Sequence, residues 1–276
     1  HVNNILTALS GSERIFTFLD TPIEEDNGKV TLVKTEARSS KYADRYSWQI
    51  PQDDGTFKVK PLRGQIEFKH VTFGYNENKI ILHDINFIAH VGDKLAFVGP
   101  TGAGKTTIIS LISRFYNINQ GEIIYDGINI KDMKLESLRK SISCVTQDTH
   151  LFTGTIKDNI RYVRMHSTDN EVYNAAIIAN ANNFISRLPL NYDTMLYDDG
   201  HNLSEGQRQL LALARAAISQ PPVLVLDEAT SNIDTRTEKL VNNAMGEIMK
   251  DRTSLIIAHR LSTIRNCTNI IVMENG

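Results

Sequence analysis

Gly99, Pro100, Thr101, Gly102, Ala103, Gly104, Lys105 and Thr106 spell G-x-x-x-x-G-K-T between an apolar run at 95–98 and a helical pattern that starts near Lys105. Such a stretch needs a strand, a tight turn and a helix in that order. The glycines let the chain turn back so that successive N–H groups point inward, and the helix adds its positive end. That arrangement receives phosphates: Lys105 reaches the β and γ phosphates of a nucleoside triphosphate, and Thr106 ligates Mg²⁺. A plain glycine turn between strand and helix is the bland reading, but a chance match in a chain of this length is on the order of 1%.

The rest of the chain is consistent with a fold that carries this loop. Short β-rich runs at 95–98, 143–145, 223–226, 255–257 and 270–272 alternate with helical stretches, which predicts a parallel sheet covered by helices. Residues 65–75 and 80–87 alternate apolar and polar, predicting an antiparallel pair at the domain edge. Residues 155–220 read as mainly helical, including 169–181 and 205–218. No internal repeat is evident.

At the start, Val2, Ile5, Leu6, Leu9, Ile15, Phe16 and Leu19 recur at helical spacing with nothing local to bury against. Residues 21–62 are polar and carry Pro22, Pro51 and Pro61, predicting a linker with a hairpin around Trp48 and a boundary near residue 63. Lys and Arg total 30 against 32 Asp and Glu, a net charge of −2, so no global basic field marks a binder of nucleic acid or anionic lipid. Cys144 and Cys267 are far apart and outside any metal-ligand spacing, so a disulfide framework and a zinc site are both unsupported. No apolar run approaches the ~20 residues that span a bilayer, and the start lacks signal-peptide character. With a His at residue 1 and a strand still turning at residues 273–276, the chain is expected to be a piece of a longer protein.

A second chemical feature lies downstream. Val223, Leu224, Val225 and Leu226 run into Asp227 and Glu228. Alone, this could be a strand with a soluble end. Beside a phosphate loop, an acid at the carboxyl end of a neighbouring strand sits where Asp227 can hold the Mg²⁺ shell, and Glu228 can polarise the attacking water.

Taken in order, Tyr75, residues 99–107, Gln147, Leu203-Ser204-Glu205-Gly206-Gln207, residues 223–228, residues 231–234 and His259 resemble the nucleotide-binding domain of ABC transporters, over about residues 63–276. The resemblance implies an α/β fold: a RecA-like P-loop NTPase core with an antiparallel β subdomain and a helical signature subdomain at about 148–207. It also implies that ATP and Mg²⁺ are bound. Tyr75 would stack on adenine, although a strand-edge tyrosine half buried in the small sheet is the alternative. Residues 99–107, Thr107 among them, would hold the phosphates. Gln147 would touch Mg²⁺ or the attacking water, and His259 the γ phosphate. Asp234 would lie at a dimer seam, although Ser231 and Asn232 could equally be a plain N-capping turn for a helix beginning near Thr235. Ser204 to Gln207 fit a capping box, and in this family that helix start, through Ser204, Gly206 and Gln207, closes on the ATP of a partner domain.

Residues 8–20 resemble the segment that follows the last transmembrane helix of exporters, and residues 147–156 the exporter loop that receives coupling helices. The resemblance thus implies the cytosolic motor domain of an exporter at the cytoplasmic face of the cell membrane, with a transmembrane domain in the same polypeptide and no nucleic-acid partner. A soluble non-transport ABC ATPase and a peptide exporter are the alternatives. Three features depart from the pattern. The stretch at 27–62 is long for a connection, Asp198 stands where a coupling Glu is usual, and Glu205 replaces the signature Gly. The altered signature beside an intact catalytic Glu resembles one half of bacterial heterodimeric multidrug exporters, implying a second, different nucleotide-binding chain as partner.

Overall fold

The computed structural model describes residues 2–35, 45–76, 79–146, 149–227, 233–258 and 261–276. Helix α1 (Val2–Leu19) leads into strands β1 (Thr31–Lys34), β2 (Tyr46–Pro51) and β3 (Phe57–Pro61), which form an antiparallel sheet in that order. Strands β4 (Ile66–Phe73) and β5 (Leu82–Ala89) follow, then β6 (Lys94–Val98), helix α2 (Lys105–Ile112), β7 (Gln120–Tyr125), β8 (Ile128–Asn129), α3 (Leu135–Lys140) and β9 (Ile142–Val145). The helical region holds β10 (Gly154–Thr155), α4 (Ile156–Arg161), α5 (Asp169–Ile178), α6 (Asn182–Ile185), β11 (Met195–Leu196) and α7 (Glu205–Ser219). The chain continues with β12 (Val223–Asp227), α8 (Thr235–Ile248), β13 (Thr253–Ile257), α9 (Leu261–Ile264) and β14 (Asn269–Val272).

The five predicted β-rich runs become one parallel sheet in the order β14-β6-β13-β12-β9. Because side chains alternate along a strand, each run feeds two cores at once. Val223, Val225, Leu95, Phe97, Leu255 and Ile257 face a core shared with β4, β7 and α2. Leu224, Leu226, Ala96 and Ile256 face the other, shared with α4, α5, α7 and α8. Burial on both faces explains why these runs are continuously apolar. The predicted antiparallel pair is β4 with β5, extended to the sheet β5-β4-β7-β8, with register shifts in β4. Helix α5 ends at Ile178, short of the expected 181.

Within the stretch 21–62, expected as a linker, some described residues pack into the domain core. Val30, Trp48 and Leu62 are buried in the same core as Ile66, Phe97 and Ile108. The Trp48 ring meets Tyr125 edge-on at 5.3 Å, and its Nε1 donates to Asp126 Oδ2 at 2.9 Å. Asp126 also accepts from the backbone N–H of Arg63, Gly64 and Gln65, each at 2.9 Å. The polar composition misleads here because few of the described residues of the stretch bury, with Val30, Trp48 and Leu62 the apolar ones among them. Further back, Arg139 pairs with Glu24 and Arg114 donates to Glu25 O at 3.1 Å, tying the chain after α1 to the far end of α2.

Candidate functional site

Strand β6 ends at Val98, the chain turns through residues 99–104, and α2 starts at Lys105. Gly104 caps that helix at φ +93°, and a Cβ there would lie 2.6 Å from Leu82 Cδ2, so only glycine fits without strain. Lys105 is buried, and its Nζ donates to Gly99 O at 2.8 Å and Pro100 O at 2.9 Å. The ammonium therefore sits inside the curve of the loop. Ala103 N closes the turn on Pro100 O at 3.2 Å. Helix α2 has no acidic residue in its first turn, so its positive end is uncompensated and favours an anion. The Thr106 side chain is exposed beside the loop, whereas Thr107 is buried.

Asp227 ends β12 and is partly buried. In register it pairs with Ile257 of β13, which pairs with Phe97 of β6. Two strand spacings of ~4.8 Å thus place the carboxylate roughly 10 Å across the sheet from the strand that feeds the loop. All four strands are parallel, so β6, β9, β12 and β13 end at one edge. Gln147, Glu228 and His259, expected as catalytic residues, and Ser231 and Asn232 lie outside the described residues. Among the described residues no group of three His, Cys, Asp or Glu side chains could hold a metal. A Mg²⁺ ion fits the remaining donors: the Thr106 hydroxyl and the Asp227 carboxylate are hard oxygens, and Mg²⁺ takes its other ligands from phosphate and water.

Tyr75 lies two residues past β4 and is 49% exposed. Its ring centroid is 5.0 Å from those of Phe73 and Tyr116, and its hydroxyl is 3.2 Å from Thr107 Oγ1. Tyr75 is thus half exposed between Phe73 at the end of β4 and Thr107 of α2. Sequence reasoning missed Tyr116; nothing local marks it.

Ser204 and Gln207 form the expected capping box: Gln207 N donates to Ser204 Oγ at 3.3 Å, and Ser204 N donates to Gln207 Oε1 at 3.0 Å. Gly206 abuts α8, and a Cβ there would lie 2.3 Å from Thr237 Cγ2. Asp234 is the N-cap of α8, accepting from Arg236 N at 3.1 Å and Thr237 N at 3.0 Å. Asp234 caps this helix because an Asx side chain reaches the second and third N–H groups after it; Ser231 and Asn232, expected as a capping turn, lie outside the described residues. Those N–H groups, Thr237's first, hold its carboxyl below the ordinary aspartate value.

Asp199, rather than its neighbour Asp198, makes the described side-chain contacts of that turn. Leu151 N donates to Asp199 Oδ1 at 2.7 Å, and His150 Nδ1 lies 3.1 Å from Asp199 Oδ2. The Leu151 N–H and then His150 hold its carboxyl below the usual range. Arg215 of α7 donates to His150 O at 2.6 Å and to Asn159 O and Oδ1, at 2.9 and 2.7 Å. The signature helix and the loop after β9 are thereby bonded to each other. An Asp-Asp-Gly triplet cannot reveal which acid turns inward.

Residues 82–231 match the family described as ABC transporter. The chain belongs to the ABC transporter family. It is 44% identical over 275 residues to an uncharacterized ABC transporter ATP-binding protein, YfiC, of Bacillus subtilis, covering 99% of this chain and 41% of that protein. An ATP-dependent lipid A-core flippase of Legionella pneumophila (strain Paris) is 43% identical over 272 residues, covering 99% of this chain and 42% of that one. A fatty acid ABC transporter ATP-binding/permease protein of Mycobacterium tuberculosis is 40% identical over 274 residues, covering 99% and 39%. The solved structure of a bacterial Atm1-family ABC exporter with ATP bound superposes at a TM-score of 0.78 with 36% identity, covering 99% of this chain and 43% of that one. The chain spans about two fifths of the length of the curated relatives it matches. The architecture is that of the ABC transporter ATP-binding domain, an α/β P-loop core with antiparallel sheets and a helical region, and such domains bind ATP and are ATPases.

Proposed function

We propose that this ABC transporter domain is the cytosolic motor of an exporter, hydrolysing ATP with Mg²⁺ in a dimer of two such domains. The observation that carries this reading is the row Phe97, Ile257, Asp227, which sets a carboxylate and the Lys105 loop on one sheet edge. Lys105 and the N–H groups of residues 101–107 bind the β and γ phosphates, and Tyr75 takes the adenine. Thr106 and Asp227, with Gln147 beside them, would hold Mg²⁺, which would supply positive charge against the charge that develops on the phosphates. Glu228 accepts the proton of the attacking water, and His259 contacts the γ phosphate. The capped start of α7, with Ser204, Gly206 and Gln207, donates to the ATP held by the partner domain, which makes ATP part of the dimer interface.

Two features support export. Leu6, Leu9, Phe16, Phe18 and Leu19 of α1 are each more than half exposed, which suits a membrane domain upstream in the same polypeptide, although no described helix is long and apolar enough to cross a membrane. Relatives named for lipid A-core and fatty acid transport favour a lipid-like or drug-like substrate. On this reading residues 1–20 are the tail of the membrane domain, and the ATP-binding domain begins within residues 21–62 and not at 63. Glu205 in the signature favours a different chain as partner.

The test is ATP turnover and ATP affinity of the intact polypeptide carrying this chain, with Glu228→Gln. Removing a general base lowers turnover by about 10²- to 10⁴-fold while binding survives. Turnover at the parent rate in the variant would refute the assignment.

A further inference from the structure

Tyr75 is half exposed, so burial alone does not orient its ring. Three contacts do: Phe73 at 5.0 Å and 82°, Tyr116 at 5.0 Å and 85°, and the hydroxyl at 3.2 Å from Thr107 Oγ1. Phe73 and Thr107 are themselves buried, Phe73 within the core. Tyr116 is different. It comes from the segment between α2 and β7, is 48% exposed, and spends its ring on Tyr75 and, at 5.9 Å, on Phe73. The residue before it is held in turn: the Arg139 guanidinium stands 4.9 Å over the Phe115 ring while pairing with Glu24.

We propose that Tyr116 is a positioning residue for the nucleobase, holding Tyr75 in one orientation before a purine stacks on it. The inference rests on the ATP-binding reading above. A side chain ordered in advance loses less entropy on binding, and edge contacts between aromatic rings stabilise one orientation over others. Tyr116 therefore acts on the part of the affinity that comes from the base and leaves the phosphate part alone.

The experiment measures dissociation constants in the intact polypeptide for ATP and, by competition, for inorganic tripolyphosphate, which carries three phosphates and no base. Tyr116→Ala is expected to weaken ATP about two- to tenfold and to leave tripolyphosphate unchanged. Tyr116→Phe keeps the ring and is expected to bind ATP like the parent. In a Tyr75→Ala background, Tyr116→Ala should cost nothing further. Equal weakening of both probes, additive losses in the double variant, or parental ATP affinity in Tyr116→Ala would each overturn the proposal. If the folded parent bound no ATP, the functional reading would fall first; parental binding without dependence on Tyr116 sinks only this inference.

Discussion

The Glu205 carboxylate lies 3.1 Å from the Arg208 guanidinium, which also donates to Leu203 O at 3.3 Å. A carboxylate within ~4 Å of a phosphate would repel it by about 1–4 kcal/mol between water-like and surface-like dielectrics. Arg208 draws that charge back along α7 and offsets part of it, as far as a half-exposed pair worth about 0–1 kcal/mol can. In the intact transporter, Glu205→Gly is expected to raise turnover at the ATP site this signature completes, and Arg208→Ala to lower it severalfold. Turnover that survives Glu228→Gln reports that site in a heterodimer. Identical effects at two equivalent sites would show a homodimer instead.

Lys105 is expected to carry binding where Glu228 carries chemistry. Its ammonium already makes two hydrogen bonds within the loop, so its position is set in advance. Charge-assisted hydrogen bonds contribute about 1.5–3 kcal/mol, so Lys105→Ala should weaken ATP by roughly ten- to a hundredfold. Calorimetric titration checks it, and parental affinity would remove Lys105 from the site.

Trp48 and Asp126 test whether residues 21–62 belong to the ATP-binding domain. Trp48 is fully buried, so Trp48→Ala is expected to cost about 3–5 kcal/mol of stability. Asp126→Ala strands the Trp48 indole N–H and three backbone N–H groups, at about 1–3 kcal/mol for each group that water cannot reach. Val59→Ala, at an exposed position, should be near neutral. Denaturant unfolding decides: a mere linker would leave Trp48→Ala as near neutral as Val59→Ala.

Stability should fall in acid, and Asp199 should carry part of the fall. Its carboxyl is held below the ordinary aspartate value of 3.8 by the Leu151 N–H first and His150 after it. A lowered folded-state value means the unfolded chain takes up its proton at higher pH. The stabilisation is therefore present above about pH 4 and lost as pH drops through the folded value. Asp199→Asn should be less stable near neutral pH and lose less on acidification below pH 4. Thermal midpoints against pH would show parallel curves if the contact were without effect.

What could be read from the chain before folding was what neighbours in sequence make together. The phosphate loop at 99–106, the apolar runs that become the parallel sheet, and the box of Ser204 and Gln207 all depend on spacings of a few residues, where backbone geometry leaves few choices. The residues that sequence missed work across distance. Trp48 reaches Asp126 across 78 residues, Asp199 reaches Leu151 across 48, and Tyr75 meets Tyr116 from another strand connection. No periodicity announces such pairs, because a tryptophan in a polar stretch or one aspartate of two acquires its partner only when sheets and helices stack. Tertiary packing alone decided that Val30, Trp48 and Leu62 close into the core and that Asp199 meets Leu151.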